Sequence, residues 1–274
     1  EDILYAHLRA LGGDVQWQTT FEHLTQDAEG VTAFIRLPDG TRREVRARYV
    51  CGADGTHSPV RHALGIPFAG SANDHLFYVA DVTAQGAVDE GQFNFKLAAE
   101  SFLLAFPISG LSHFRLIGIV SFAHITQDQV RFDDVREQIE AFGVQVNEVN
   151  WFSSYRVNHR VAARFRQGHV FLVGDAAHVH SPVGAQGMNT GLLDAHNLAW
   201  KLAASLHGEA GDRLLDSYEM ERRPFALALV HTTDRLFGIV TNKSGIAASL
   251  RGRLLPGLIK RLARNPLANE EPAT

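Results

Sequence analysis

GDAAHVHSPVGAQGMN, residues 174–189, follows without a break on the apolar run Val170–Val173. Four apolar residues in a row read as a short strand buried on both faces, as parallel sheets contain. The strand stops at Gly174-Asp175, so a carboxylate stands at its carboxyl end, where open α/β sheets place their ligands. Burying that charge unpaired would carry a large desolvation cost, and the hydroxyls of a sugar-like chain are suitable donors to it. Gly184 and Gly187 let backbone approach a ligand closely. A helix over about 188–206 follows, with Met188, Leu192, Ala195, Leu198, Ala199, Leu202 and Leu206 as its apolar stripe. Its first N–H groups have no partner within the helix, and its dipole is positive at that end, which makes an anion site.

Upstream, a second run has the same form. Tyr49-Val50-Cys51 reads as a buried strand, with Cys51 as a small buried residue, and it leads into GADGTHSPVR at 52–61. Ser58 can cap a short helix with Pro59 in its first turn, and Gly65 closes it. Before it come a helix opening at Ile3, strand-like stretches at Val15–Gln18 and Phe21–Asp27, and a hairpin. The hairpin is Val31–Leu37, the turn Pro38-Asp39-Gly40, and Arg42–Val50. Residues 66–165 change character. Short β-rich pieces at Phe77–Val82, Phe93–Leu97, Phe102–Phe106 and Phe114–Phe122, with one helix near Asp134–Phe142, predict an antiparallel sheet with one face against a ligand or second layer. A helix from about 212 to 240, interrupted near Pro224, follows the 188–206 helix. Leu250–Arg264 reads as a peripheral helix rather than one lying on a membrane surface.

The bulk numbers narrow the class of function. The 274 residues are 45% hydrophobic, enough for one large domain or two modest ones. A net charge of −4, from 26 basic and 30 acidic residues, gives no electrostatic footprint for nucleic acid. The single cysteine makes an internal disulfide impossible and points to a reducing cytoplasm. No apolar run reaches the length of a membrane span. Among 14 histidines, His178 and His180 lack a third ligand at metal spacing, so no metal site is expected; His178 is expected to order its loop by hydrogen bonds. The chain opens at Glu1 inside a helical pattern, which reads as a start within a longer protein.

The run GDAAHVHSPVGAQGMNTGLLDAHNLAWKLA at 174–203 resembles the "GD" motif of FAD-dependent aromatic hydroxylases, the class that includes para-hydroxybenzoate and phenol hydroxylases. VCGADGTHSPVR at 50–61 resembles that family's "DG" motif. FSSYRVNHRVA at 152–162 is similar to its strands returning from the substrate domain, and Glu221-Arg222-Arg223-Pro224 also fits, so the likeness spans nearly the whole chain. The family's GxGxxG turn, which holds the FAD pyrophosphate, has no counterpart in these residues.

The resemblance implies an α/β fold, a Rossmann-like FAD-binding layer carrying an inserted, mainly antiparallel substrate domain. The divisions expected are 1–65 and 166–240 for FAD, 66–165 for substrate, and 241–274 as a helical extension. Asp175, with Gly174, would meet the ribityl chain of FAD. Gly184, Gln186, Gly187, Met188 and Asn189 would meet the flavin edge. Pro182 would lie near its reacting edge, and Asp54 and Arg61 would serve FAD and NAD(P)H by positioning. The implied reaction is hydroxylation of a small phenolic or related aromatic substrate by O2 and NAD(P)H, through a flavin C4a-hydroperoxide, in a protein that could form a homodimer. The alternatives are a halogenase or reductase on the same scaffold, or a non-catalytic fragment.

Overall fold

The computed structural model describes residues 2–98, 101–120, 130–180 and 187–241. The stretches 121–129 and 242–274, and with them the expected helix at Leu250–Arg264, lie outside the described residues. The chain forms two units: one from residues 1–70, 160–180 and 185–230, and one built around 71–159.

The first unit opens with α1 (Asp2–Ala10), none of whose residues is buried. β1 (Thr20–Gln26), β2 (Val31–Arg36) and β3 (Arg42–Ala47) make an antiparallel sheet in that order. The Pro38-Asp39-Gly40 turn closes as its residues dictate. The Leu37 N–H donates to the Thr41 carbonyl at 2.8 Å, Asp39 Oδ1 accepts the Thr41 N–H at 2.8 Å, and Gly40 sits at φ +84. Two local expectations need correction. Val15–Gln18 is not a strand, because Trp17 and Gln18 form a turn with Gln18 at φ +56, which an extended strand cannot accommodate. The strand expected over Arg42–Val50 is two strands. The chain leaves β2 after Ala47, and the Val50 N–H donates instead to the His169 carbonyl at 3.0 Å, starting β4 (Val50–Gly52).

β4 runs parallel to β11 (Val170–Leu172), which pairs antiparallel with β10 (Arg166–Gln167). All three β11 side chains are fully buried, as a continuous apolar run requires. Cys51, expected inside, is exposed: alternation turns it away from Gly52, and β4 is the edge strand of the described sheet. α2 (Pro59–Ala63) is capped by Ser58, whose Oγ accepts the Arg61 N–H at 2.9 Å. α4 (Gly187–Leu206) and α5 (Asp212–Thr241) complete this part of the chain. α5 is continuous through Pro224, contrary to the expected interruption. The carbonyl that Pro224 leaves unpaired is that of Met220, whose side chain is 74% exposed, so water can serve it.

The chain passes into the second unit on β5 (Phe68–Gly86) and returns on β9 (Val144–Ala162). With β6 (Asn94–Leu97), β7 (Phe102–Pro107), β8 (His113–Ile119) and β12 (His178–Val179), the sheet order is β12-β9-β5-β8-β7-β6. The period of two sorts the second unit's side chains into two cores. Tyr78, Ala80, Val82, Leu103, Ala105, Phe114 and Leu116 pack with Val135 and Ile139 of α3 (Asp133–Glu140). Phe77, Phe102, Leu104 and Ile119 occupy the other face with Phe95, Leu97, Phe106, Ile117 and Tyr155.

Tyr78 lies opposite Gly118 in the β5–β8 register, and a Cβ at Gly118 would overlap its ring and hydroxyl. The Tyr78 hydroxyl is fully buried and meets no hydrogen-bond partner among the described residues, and burial pushes its pKa upward. An unpaired buried hydroxyl costs about 1–3 kcal/mol, so Tyr78→Phe is expected to leave the chain equally stable or to raise its urea midpoint, whereas a loss above about 1 kcal/mol would reveal a partner for that hydroxyl.

Candidate cofactor site

Two motifs far apart in sequence are joined by one piece of backbone. Val50, Cys51 and Gly52 pair in parallel register with Val170, Phe171 and Leu172, and the Val173 N–H extends the ladder to the Gly52 carbonyl at 3.0 Å. Parallel strands end at the same edge, so Asp54 and Asp175, each just beyond its strand, emerge there together. Both are exposed. Asp54 is partly engaged, since one of its oxygens accepts the Val60 N–H at 2.9 Å and so helps to cap α2. Asp175 lies in a short 3-10 turn, Gly174–Ala176, with its carboxylate open to solvent.

That turn is held from several sides. Gly174 takes φ +57, a conformation side chains disfavour, and its Cα approaches Gly191 of α4. Its carbonyl accepts the Ala177 N–H at 2.8 Å, and the Ala177 carbonyl accepts the Ala162 N–H at 2.7 Å. Arg61 is not a solvated helix residue: it is 2% exposed. Its Nη1 donates to the Ala176 carbonyl at 2.9 Å and its Nη2 to the Thr56 carbonyl at 2.8 Å, with the guanidinium 3.9 Å from the Phe68 ring centre. Arg61 therefore ties the 50–61 motif to the 174–189 motif by direct contact, and burial lowers its pKa.

Beneath the turn stands Asp194 of α4, which sequence reasoning did not single out. It is fully buried. Its Oδ2 lies 2.6 Å from His178 Nε2 and accepts the Gly174 N–H at 3.1 Å, while its Oδ1 accepts from Arg222 Nε at 2.6 Å. Burial alone would raise its pKa, but the bonds from His178 and Arg222 outweigh that and hold the carboxyl below its usual range. His178 is itself buried and stacks on Phe165 with ring centres 5.8 Å apart.

The buried face of α4 is thus Thr190, Asp194, Leu198, Lys201 and Ser205, and not the expected apolar stripe. Met188, Leu192 and Leu206 are exposed. The buried stripe is rotated because α4 meets α5 through paired polar groups: Arg222 on Asp194, and Lys201 with Asn197 on Glu221 at 2.8 and 2.7 Å. The Lys201 and Asn197 contacts hold the Glu221 carboxyl down to about 2. One signal in the sequence pointed this way, namely Asp194 and Lys201 at helical spacing from Leu198.

Gly187, Met188 and Asn189 form the exposed first turn of α4, where backbone N–H groups lack partners inside the helix. Pro182, Gly184 and Gln186 lie outside the described residues. A separate concavity of about 460 Å³ is lined by Arg164, Arg166, Asp212, Asp216 and Glu219, but Arg166 is already spent on Asp212, Asp216 and the Gly168 carbonyl. Among the described residues no group of three or more His, Cys, Asp or Glu could hold a metal ion, and no helix is long and apolar enough to cross a membrane.

The family model described as FAD binding domain matches residues 1–233. Pentachlorophenol 4-monooxygenase of Sphingobium chlorophenolicum is 34% identical over 233 residues, covering 82% of this chain and 43% of that protein. The solved anhydrotetracycline hydroxylase of Streptomyces rimosus matches at 33% identity and a TM-score of 0.73, over 99% of this chain and 58% of its own. The p-nitrophenol 4-monooxygenase of Pseudomonas putida matches at 26% identity and a TM-score of 0.80, over 96% and 69%. The chain spans about half the length of the curated relatives it matches. With its matched motifs meeting at one strand edge, the chain belongs to the FAD-binding domain family of flavin-dependent aromatic hydroxylases.

Proposed function

We propose that this chain is the FAD-holding and substrate-facing part of a flavoprotein monooxygenase that hydroxylates a phenolic or related aromatic compound with O2 and NAD(P)H. The observation that carries the reading is the shared edge of β4 and β11. An open carboxylate, Asp175, follows β11 as Asp54 follows β4, in the unit that also contributes the N-terminus of α4. These groups fit FAD. The hydroxyls of a ribityl chain can donate to the Asp175 carboxylate, and a helix N-terminus suits a flavin ring edge that gains negative charge on reduction. The chemistry that FAD supplies when bound is the passage of electrons from NAD(P)H to O2.

The chain's own residues do the rest. The buried contacts of Arg61 and Asp194 keep the turn at Gly174–Ala176 in one conformation. In the second unit, the face carrying Phe95, Phe102, Phe106 and Tyr155 supplies apolar and aromatic surface for a flat substrate. Burial pushes the Tyr155 phenol up to about 12, so it stays protonated at neutral pH. The names of the relatives favour phenols as substrates. We assign a reducing cytoplasm on the strength of the single exposed thiol, Cys51.

Two measurements test the reading. Asp175→Ala should weaken FAD binding about tenfold or more, the size of a lost charge-assisted hydrogen bond, with an unchanged far-ultraviolet circular dichroism spectrum. Parent-like FAD affinity in that variant would remove Asp175 from the site. In ¹⁸O2, the hydroxylated product of phenol-stimulated NAD(P)H oxidation should carry one labelled oxygen; label arriving from water instead would exclude a monooxygenase.

A further inference from the structure

A carboxylate that only joined α4 to α5 would need one partner, Arg222. Asp194 has three. The second and third, the Gly174 N–H and His178 Nε2, both belong to the segment that carries Asp175. They grip that segment at either end, one residue before Asp175 and three residues after it. Between those grips the Ala176 carbonyl is taken by Arg61 and the Gly174 carbonyl by Ala177. The Asp175 carboxylate is what the turn leaves facing solvent.

The geometry points to Asp194 as a positioning residue for the cofactor. Through the Gly174 N–H and His178 it fixes the turn, so that Asp175 is aimed before the ligand arrives. This rests on the reading that Asp175 meets FAD. The chemistry requires a carboxylate. Donors approach both oxygens of Asp194, and a buried carboxylate can accept at each. Asparagine offers one accepting oxygen and turns an NH2 group toward a donor, so either Arg222 or the turn loses its hold. Full burial makes that exchange costly, because no water reaches the group to replace a lost partner. Ordering of the turn would then be paid at the moment of binding, and the loss would appear as weaker affinity.

The test is a double-mutant cycle on FAD affinity, read by quenching of flavin fluorescence in the flavin-binding protein, with Asp194→Asn, Asp175→Ala and both together. Asp194→Asn is expected to weaken FAD binding about tenfold, and to add less than about twofold in the Asp175→Ala background, because it acts through Asp175. Asp194→Glu keeps the charge while displacing the carboxylate by one methylene; it decides the matter in the same way if the asparagine variant does not fold. Parent-like affinity in the Asp194 variants, or a loss that adds in full to that of Asp175→Ala, overturns the inference while leaving Asp175 in the site. Unchanged affinity in Asp175→Ala overturns both.

Discussion

The parallel pairing of β4 with β11 is the constraint on which the site depends. Each strand contributes only three residues, yet their shared direction brings together turns more than a hundred residues apart. Parallel strands cannot be joined by a tight turn, so the intervening chain must make a long excursion. Here that excursion contains residues 71–159, the stretch around which the second unit is built. The six-stranded sheet and the shared β4–β11 edge are thus consequences of one topology: an insertion between two strands that must end side by side.

What keeps that edge in one shape is mostly polar. β11 buries Val170, Phe171 and Leu172 without exposure, and Tyr218 of α5 donates to the Leu172 carbonyl at 2.7 Å. Glu219 accepts the N–H groups of Phe165 and Arg166 at 2.7 and 3.1 Å, and Arg223 donates to the Ala162 carbonyl at 3.1 Å. Five of the six α5 positions 218–223, all but the exposed Met220, therefore serve either sheet backbone or α4. Such contacts are directional. They specify one arrangement of α5 against strands and helix, where an apolar seam would tolerate sliding.

Much of this was legible in the residues. The buried run Val170–Val173, the Pro-Asp-Gly turn, the Ser58 cap and the α3 pair Val135–Ile139 each follow from a local rule, and each is present. The sequence misled where a long-range partner overruled a local pattern. The apolar count along α4 suggested a stripe through Leu192 and Leu206, yet the helix turns Asp194 and Lys201 inward, because Arg222 and Glu221 wait on α5. Arg61 was expected to act by positioning, but its partner, the Ala176 carbonyl, became visible only in the fold. No spacing rule reveals a partner 115 positions away.

The central claim is that FAD contacts the chain at the joint edge of β4 and β11. Hydrogen–deuterium exchange with and without FAD tests it directly, since amides that ligand binding orders exchange more slowly. The account predicts slower exchange in peptides covering 52–58 and 174–190, with the hairpin β1–β3 unchanged. Saturating FAD that leaves exchange at 174–190 unaltered would contradict it.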